Sequence, residues 1–168
     1  MKKAEAFCQR IDAINRWTGF IAGMLLIPLV ILVMTEVILR YFFSSPTIWA
    51  WDINVQLAAV IAILAGGYGL LYGNHVSVDV ITSHLTPRTR ARVDVATSTI
   101  FFFIMITLTW VAISAAGFSV STRELYTSLF NPPLYPLRIV VAISLFLLFI
   151  QGIAKFIRDL VIATSPKS

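Results

Sequence analysis

Four runs of this chain are long, apolar and nearly free of charge, and they leave few folds open. The first extends from Trp17 to Val33 without a charge and continues to Tyr41 across Glu36 and Arg40. The others cover Ile53–Tyr72, Val95–Phe118 and Leu137–Ala154, the last broken only by Arg138 and Gln151. Each approaches or exceeds the ~20 residues with which a helix crosses ~30 Å of hydrocarbon. A backbone in lipid must satisfy its own hydrogen bonds, so each run is read as a helix. Packing inside a soluble core would require polar faces on these segments, and they have none. Composition agrees: 58% of residues are hydrophobic and 12% are charged, with a mean hydropathy of +0.87. A soluble domain carries about 25% charged residues. The expected fold is an all-α integral membrane protein, a single membrane domain over residues 1–168 with spans near 17–42, 52–73, 94–118 and 136–157.

The first run exceeds the ~7–15 apolar residues of a cleaved signal peptide and lacks a small-x-small cleavage site, so it is read as a retained span. Cys8 is the single cysteine, which excludes an internal disulfide and a multi-cysteine metal site. No apolar stretch precedes it, so it is not read as lipidated.

Positive charge is sorted along the chain. Lys2, Lys3, Arg10 and Arg16 precede the first span. Arg88, Arg90 and Arg92 lie between the second and third, and Lys155, Arg158 and Lys167 close the fourth. Only Arg40, Arg123 and Arg138 fall on the other side. Basic residues accumulate on the cytoplasmic side, which places both termini and the middle connection inside. The same bias accounts for the net charge of +5, with no nucleic-acid partner required. Arg88, Arg90 and Arg92, with Trp49 and Trp51 across the membrane, are expected to act as interface anchors.

Glu36 and Arg40 share one face of the first helix, near its outer end. A lone charge at the bilayer centre costs about 2.5–3.5 kcal/mol, less near the edge, and pairing lowers this further. The pair either anchors a neighbouring helix or subunit, or Glu36 carries a proton. The anchor is favoured, because a paired carboxylate stays ionised. In the second helix Ala58, Ala62 and Gly66 form one stripe, and Ala65, Gly69 and Gly73 an adjacent one. Small residues at this spacing let backbones approach closely in lipid. Asp52, Asn54 and Gln56 open the same helix and are candidates to hydrogen-bond towards Glu36 and Arg40. The "NPPLYP" sequence ending the last outer connection predicts a stiff loop, with Pro136 in the first turn of the next helix. Docking surface and plain connector are both open readings of that loop.

Between the second and third spans, Val78, Ile81 and Leu85 fit a short amphipathic helix on the inner membrane surface. Thr86 and Pro87 fit a cap and first turn for the next helix. His75 and His84 lie in this connection and are read as ordinary polar residues. Metalloprotease, hydrolase and phosphate-loop signatures are all missing, so the chain is not expected to be an enzyme. Inverted repeats and broken helices, which mark midplane substrate sites, are missing too. No catalytic, substrate-binding, metal or cofactor residue is assigned.

The stretches "EVILRYFFSSPTIWAWD" (Glu36–Asp52) and "GGYGLLYGNHVSVD" (Gly66–Asp79), followed by "PRTRARVD", occur in order. In these stretches the chain resembles the small membrane subunit, the DctQ-like small permease, of tripartite ATP-independent periplasmic transporters. The resemblance covers nearly the whole chain. One departure is Asp52, where many members carry glutamate. The resemblance implies a multi-pass protein of the bacterial inner membrane. Its implied partners are a large membrane subunit that moves organic acids inward on a sodium gradient, and a periplasmic solute-binding protein. The small subunit would be a non-catalytic scaffold with no substrate site of its own. Glu36, Arg40, Asp52 and Gln56 would then be subunit-facing or structural polar residues. Two other readings stay in view: a self-sufficient proton-coupled exporter using Glu36, and the membrane anchor of a redox complex, which would need haem ligands on facing helices.

Overall fold

The computed structural model describes residues 2–72 and 87–164, with side chains described over 7–72 and 97–161. Four helices make up the described architecture: α1 (Lys2–Tyr41), α2 (Ala50–Leu71), α3 (Pro87–Thr122) and α4 (Tyr135–Thr164). Each contains a segment long and apolar enough to cross a membrane: Phe7–Tyr41, Ala50–Leu71, Thr97–Thr122 and Tyr135–Val161. The four-span, all-helical expectation is met. Three of the helices also continue beyond the expected spans. α1 in particular starts a full fifteen residues before Trp17, and that extra length packs on α4 through Cys8 and Ile11.

Pro28 lies inside α1 without ending it, as lipid-embedded helices allow. Pro87 opens α3 and Pro136 falls in the first turn of α4, where a missing N–H costs nothing. The segment carrying His75, Val78, Ile81, His84 and Leu85 lies outside the described residues, as does Gly73. Arg88, Arg90 and Arg92 fall in the opening turns of α3.

Successive helices are antiparallel. The α1–α2 and α3–α4 connections therefore share one end of the bundle, the loop end, and the chain termini share the other, the terminal end. α1 packs on α2, α2 on α4 and α4 on α3, while α1 also meets α4. α1, α2 and α4 thus enclose a common seam, with α3 laid against the outer side of α4. The α3–α4 contact is aromatic: Phe102 meets Phe149 and Phe156 edge-on at centroid separations of 5.9 and 5.6 Å.

Much of the apolar surface faces outward. Phe20, Met24, Ile27, Ile31, Met34 and Ile38 along α1 are all exposed. In water this would be a costly surface; in hydrocarbon it is the solvated one.

Candidate functional site

Of the buried polar side chains described, Asp52 and Ser119 lie at the loop end, Asn15 and Gln151 at the terminal end, and Thr109 and Ser144 between them. At the loop end, Glu36 on α1 is the hub of a local network. Its Oε1 accepts from Arg40 NH2 at 2.7 Å and from Arg40 Nε at 3.2 Å. Its Oε2 accepts from the Thr47 hydroxyl at 2.6 Å and the Thr47 N–H at 3.2 Å. The Thr47 hydroxyl in turn accepts from Ala50 N–H at 3.3 Å, satisfying one of the free donors at the start of α2. The expected Glu36–Arg40 pair is present. What the sequence reading missed is Thr47, through which Glu36 ties α1 to the start of α2. Glu36 is nearly covered, with a side chain 12% exposed, whereas the Arg40 side chain is 52% exposed.

Asp52 is buried in the first turn of α2, where the helix dipole favours negative charge. It was expected to reach towards Glu36 and Arg40. Instead its carboxylate accepts from the Ser128 hydroxyl in the α3–α4 connection, because that loop folds down over the start of α2. Asn54 Oδ1 and Gln56 Nε2 are buried without a hydrogen-bond partner. Gln56 lines a shallow groove of about 260 Å³ between α2 and α4, with Ile53, Leu57, Val60, Pro136, Leu137 and Val140. Trp49 and Trp51 flank the start of α2, and Trp51 is 70% exposed, as suits an interface anchor.

The α3–α4 connection is ordered as its prolines suggest. Leu125 bridges Pro133, Tyr126 N–H donates to Pro132 O at 2.8 Å, and Leu134 N–H donates to Glu124 O at 2.9 Å. Glu124 accepts from Arg138 at 2.7 Å, which fixes the loop's base to α4.

At the terminal end the partners are far apart in sequence. Asn15 on α1 donates through Nδ2 to Gln151 Oε1 on α4 at 2.7 Å and to its own helix at Ile11 O, 3.1 Å. Gln151 Nε2 donates to Asp12 Oδ1 at 3.0 Å, and Arg158 donates to the same oxygen at 2.6 Å. Asn15 and Gln151 are each 1% exposed. Asn15 Oδ1 lies against Gly67 of α2: a Cβ at position 67 would come within 2.0 Å of it. Four side chains and one glycine therefore join three helices. Sequence reasoning registered Gln151 only as an interruption of an apolar run. Gln151 and Arg158 stand seven residues apart on one face of α4, matched by Asp12 and Asn15 on α1, and that pattern was the available signal.

The close helix approaches also differ from expectation. Ala58 and Ala62 are exposed, a Cβ on Gly69 would meet nothing, and one on Gly66 would make ordinary contact with Leu148. The tight positions are Gly67 against Asn15, Gly19 against Tyr68 and Gly152 against Phe101. The polar node decides which face of α2 turns inward, and it selects Gly67. Ala58 and Ala62 of one expected stripe and Gly69 of the other are left as an outward set of small residues, while Gly66 meets Leu148 of α4.

The two ends are one membrane apart. Asn15 and Glu36 are separated by 21 positions on α1, about 31 Å at 1.5 Å per residue. Arg138 and Arg158 are separated by 20 positions on α4, about 30 Å. Both separations match the ~30 Å thickness of the hydrocarbon core. Among the described residues, no three His, Cys, Asp or Glu side chains converge as a metal-ligand set. The geometry is that of a braced bundle with polar clamps at both ends.

Residues 29–161 match the family model of tripartite ATP-independent periplasmic transporters, DctQ component. Comparison with curated proteins returned no match.

Proposed function

Because the chain belongs to the DctQ-component family of tripartite ATP-independent periplasmic transporters, we propose that it is the static scaffold against which a large membrane subunit works. It is an inner-membrane, multi-pass component of such a transporter, and the family acts with a large membrane subunit and a periplasmic binding protein. In the proposed cycle the binding protein delivers an organic acid, and the large subunit carries it inward on a sodium gradient. This chain widens the fixed part of the assembly. The sorting of basic residues orients the terminal end to the cytoplasm and the loop end to the periplasm. Segments 44–52 and 119–136 would then contribute to the face that receives the binding protein.

The observation that carries this reading is the family match, which covers most of the chain. The geometry supports it in two ways. Clamps at both ends suit a part that holds its shape. The outward stripe of Ala58, Ala62 and Gly69 suits close approach by a helix of the large subunit. Glu36 is engaged within the chain by Arg40 and Thr47, which argues against a lone proton carrier. The half-exposed Arg40 remains the outward member of the pair and a subunit contact.

The test is co-purification of the large subunit with an Ala58→Leu, Ala62→Leu double variant. Bulk on the stripe is expected to reduce recovery of the large subunit and to abolish uptake, while the variant chain itself remains monodisperse. Normal recovery would remove the stripe from the interface. Solute transport by this chain alone in liposomes would overturn the scaffold reading altogether.

A further inference from the structure

We propose that the tip of the α3–α4 connection, Leu129–Phe130, is seated in the lipid at the membrane surface and does not stand clear in water. The Ser128 hydroxyl carries the geometry. It donates to Asp52 Oδ2 and accepts from Asn131 N–H at 3.1 Å, while Ser128 N–H reaches Asn131 Oδ1 at 3.4 Å. Asn131 takes a positive φ of 49°, a conformation asparagine tolerates. One hydroxyl therefore closes the turn that presents Leu129 and Phe130 and ties that turn to the first turn of α2.

The depth of this tie follows from the length of α2. Its 22 residues reach about 33 Å, scarcely more than the ~30 Å of hydrocarbon to be crossed. A span with so little length to spare holds its first turn at the hydrocarbon boundary. Whatever is bonded to Asp52 shares that depth. Leu129 is 88% exposed, and Leu125 and Phe130 are also exposed. Trp51 beside Asp52, and Phe42 and Phe43 just after α1, are exposed at the same end of the bundle. The loop end of the bundle thus exposes several large apolar and aromatic side chains, the tip's among them. The zone between headgroups and acyl chains accepts such side chains. A binding protein docking on the rest of segment 119–136 would reach Leu129 and Phe130 themselves only if the loop rose from the surface, which the Ser128–Asp52 bond opposes.

The test places a nitroxide at position 129 (Leu129→Cys in a Cys8→Ser background). The full chain is held in nanodiscs of phosphatidylethanolamine and phosphatidylglycerol, alone and with the large subunit. Collision rates with oxygen and with a polar nickel chelate give depth. Labels at Ile27→Cys and, seven residues before Trp17, at the exposed Arg10→Cys supply mid-span and water-facing references. The expected oxygen-to-nickel ratio at 129 lies between these two in both preparations. Ser128→Ala, or Asp52→Ala in its place, removes the bond and is expected to lower it severalfold towards the Arg10 value. A ratio at 129 equal to the Arg10 value with the bond intact overturns the proposal. So does shielding from both reagents once the large subunit is present, which would make the cover a protein. A ratio unmoved by both Ser128→Ala and Asp52→Ala also overturns it, since the bond would not set the depth.

Discussion

The two ends of the bundle solve the same problem with different chemistry. At the loop end, polar groups mostly secure connections. Glu36 holds Thr47 eleven residues on, and Glu124 holds Arg138 fourteen residues on. At the terminal end the bonds join α1 directly to α4 across more than 130 residues of sequence, through Asn15–Gln151, Asp12–Gln151 and Asp12–Arg158. The loop end fixes where helices start and stop. The terminal end fixes which faces they turn to one another. Charge alone serves the first task, because carboxylates and arginines at a membrane boundary keep some contact with water or headgroups. The second adds two buried amides to the part-exposed Asp12–Arg158 pair, because an amide both donates and accepts and can be enclosed without a net charge.

This contrast can be broken experimentally, and the largest effect is expected at the terminal end. Gly67→Ala drives a methyl group into Asn15 Oδ1. Overpacking of this kind costs about 1–3 kcal/mol, and a thermal melt in detergent should show a lower midpoint with α1 displaced from both α2 and α4. Gln151→Leu comes next. It removes the residue bridging Asn15 and Asp12 and leaves the buried Asn15 amide only its bond to Ile11 O, a loss of about 1–2 kcal/mol by the same melt. A double variant with Asn15→Leu should recover part of that loss, since both partners then become apolar.

Effects at the loop end should be smaller and local. Thr47→Val removes the donor to Glu36 and the acceptor for Ala50 N–H, a capping loss of about 1 kcal/mol. Limited proteolysis should then cut within residues 42–49 before the helices melt. Arg40→Gln is expected to cost least, well below about 1 kcal/mol, because half of the side chain is exposed. Its effect should appear instead in recovery of the large subunit. An Arg40→Gln chain that melts lower than Gln151→Leu would reverse the ranking of the two ends.

What could be read from the sequence follows the same division. Four spans were legible because lipid enforces a crude and continuous signal, some twenty apolar residues at a time. Pro87 and Pro136 marked helix starts because a missing N–H is harmless only there. Glu36–Arg40 was legible as a pair because i, i+4 spacing is a local property of any helix. Thr47 was not, because its bond to Glu36 depends on how the chain turns between α1 and α2. Asn15 and Gln151 were further out of reach: their partnership is a fact of helix rotation and register, which no local pattern fixes. For the same reason the small-residue stripe was found but its direction was not. Ala58, Ala62 and Gly66 have the spacing of a packing face, yet Gly67, one position from Gly66, is the glycine that Asn15 approaches.

The central claim is that the chain is braced at both membrane boundaries and holds its shape while its partner moves. Pulsed dipolar spectroscopy on the assembled transporter tests this directly. One spin pair would sit at the terminal end (Ile14 and Leu160) and one at the loop end (Ile38 and Ile139), all on exposed positions. Distances would be measured with and without loaded binding protein and a sodium gradient. The account predicts one narrow distribution per pair, unchanged by turnover. A second population at either end, appearing only during turnover, would contradict it and make this chain a moving part.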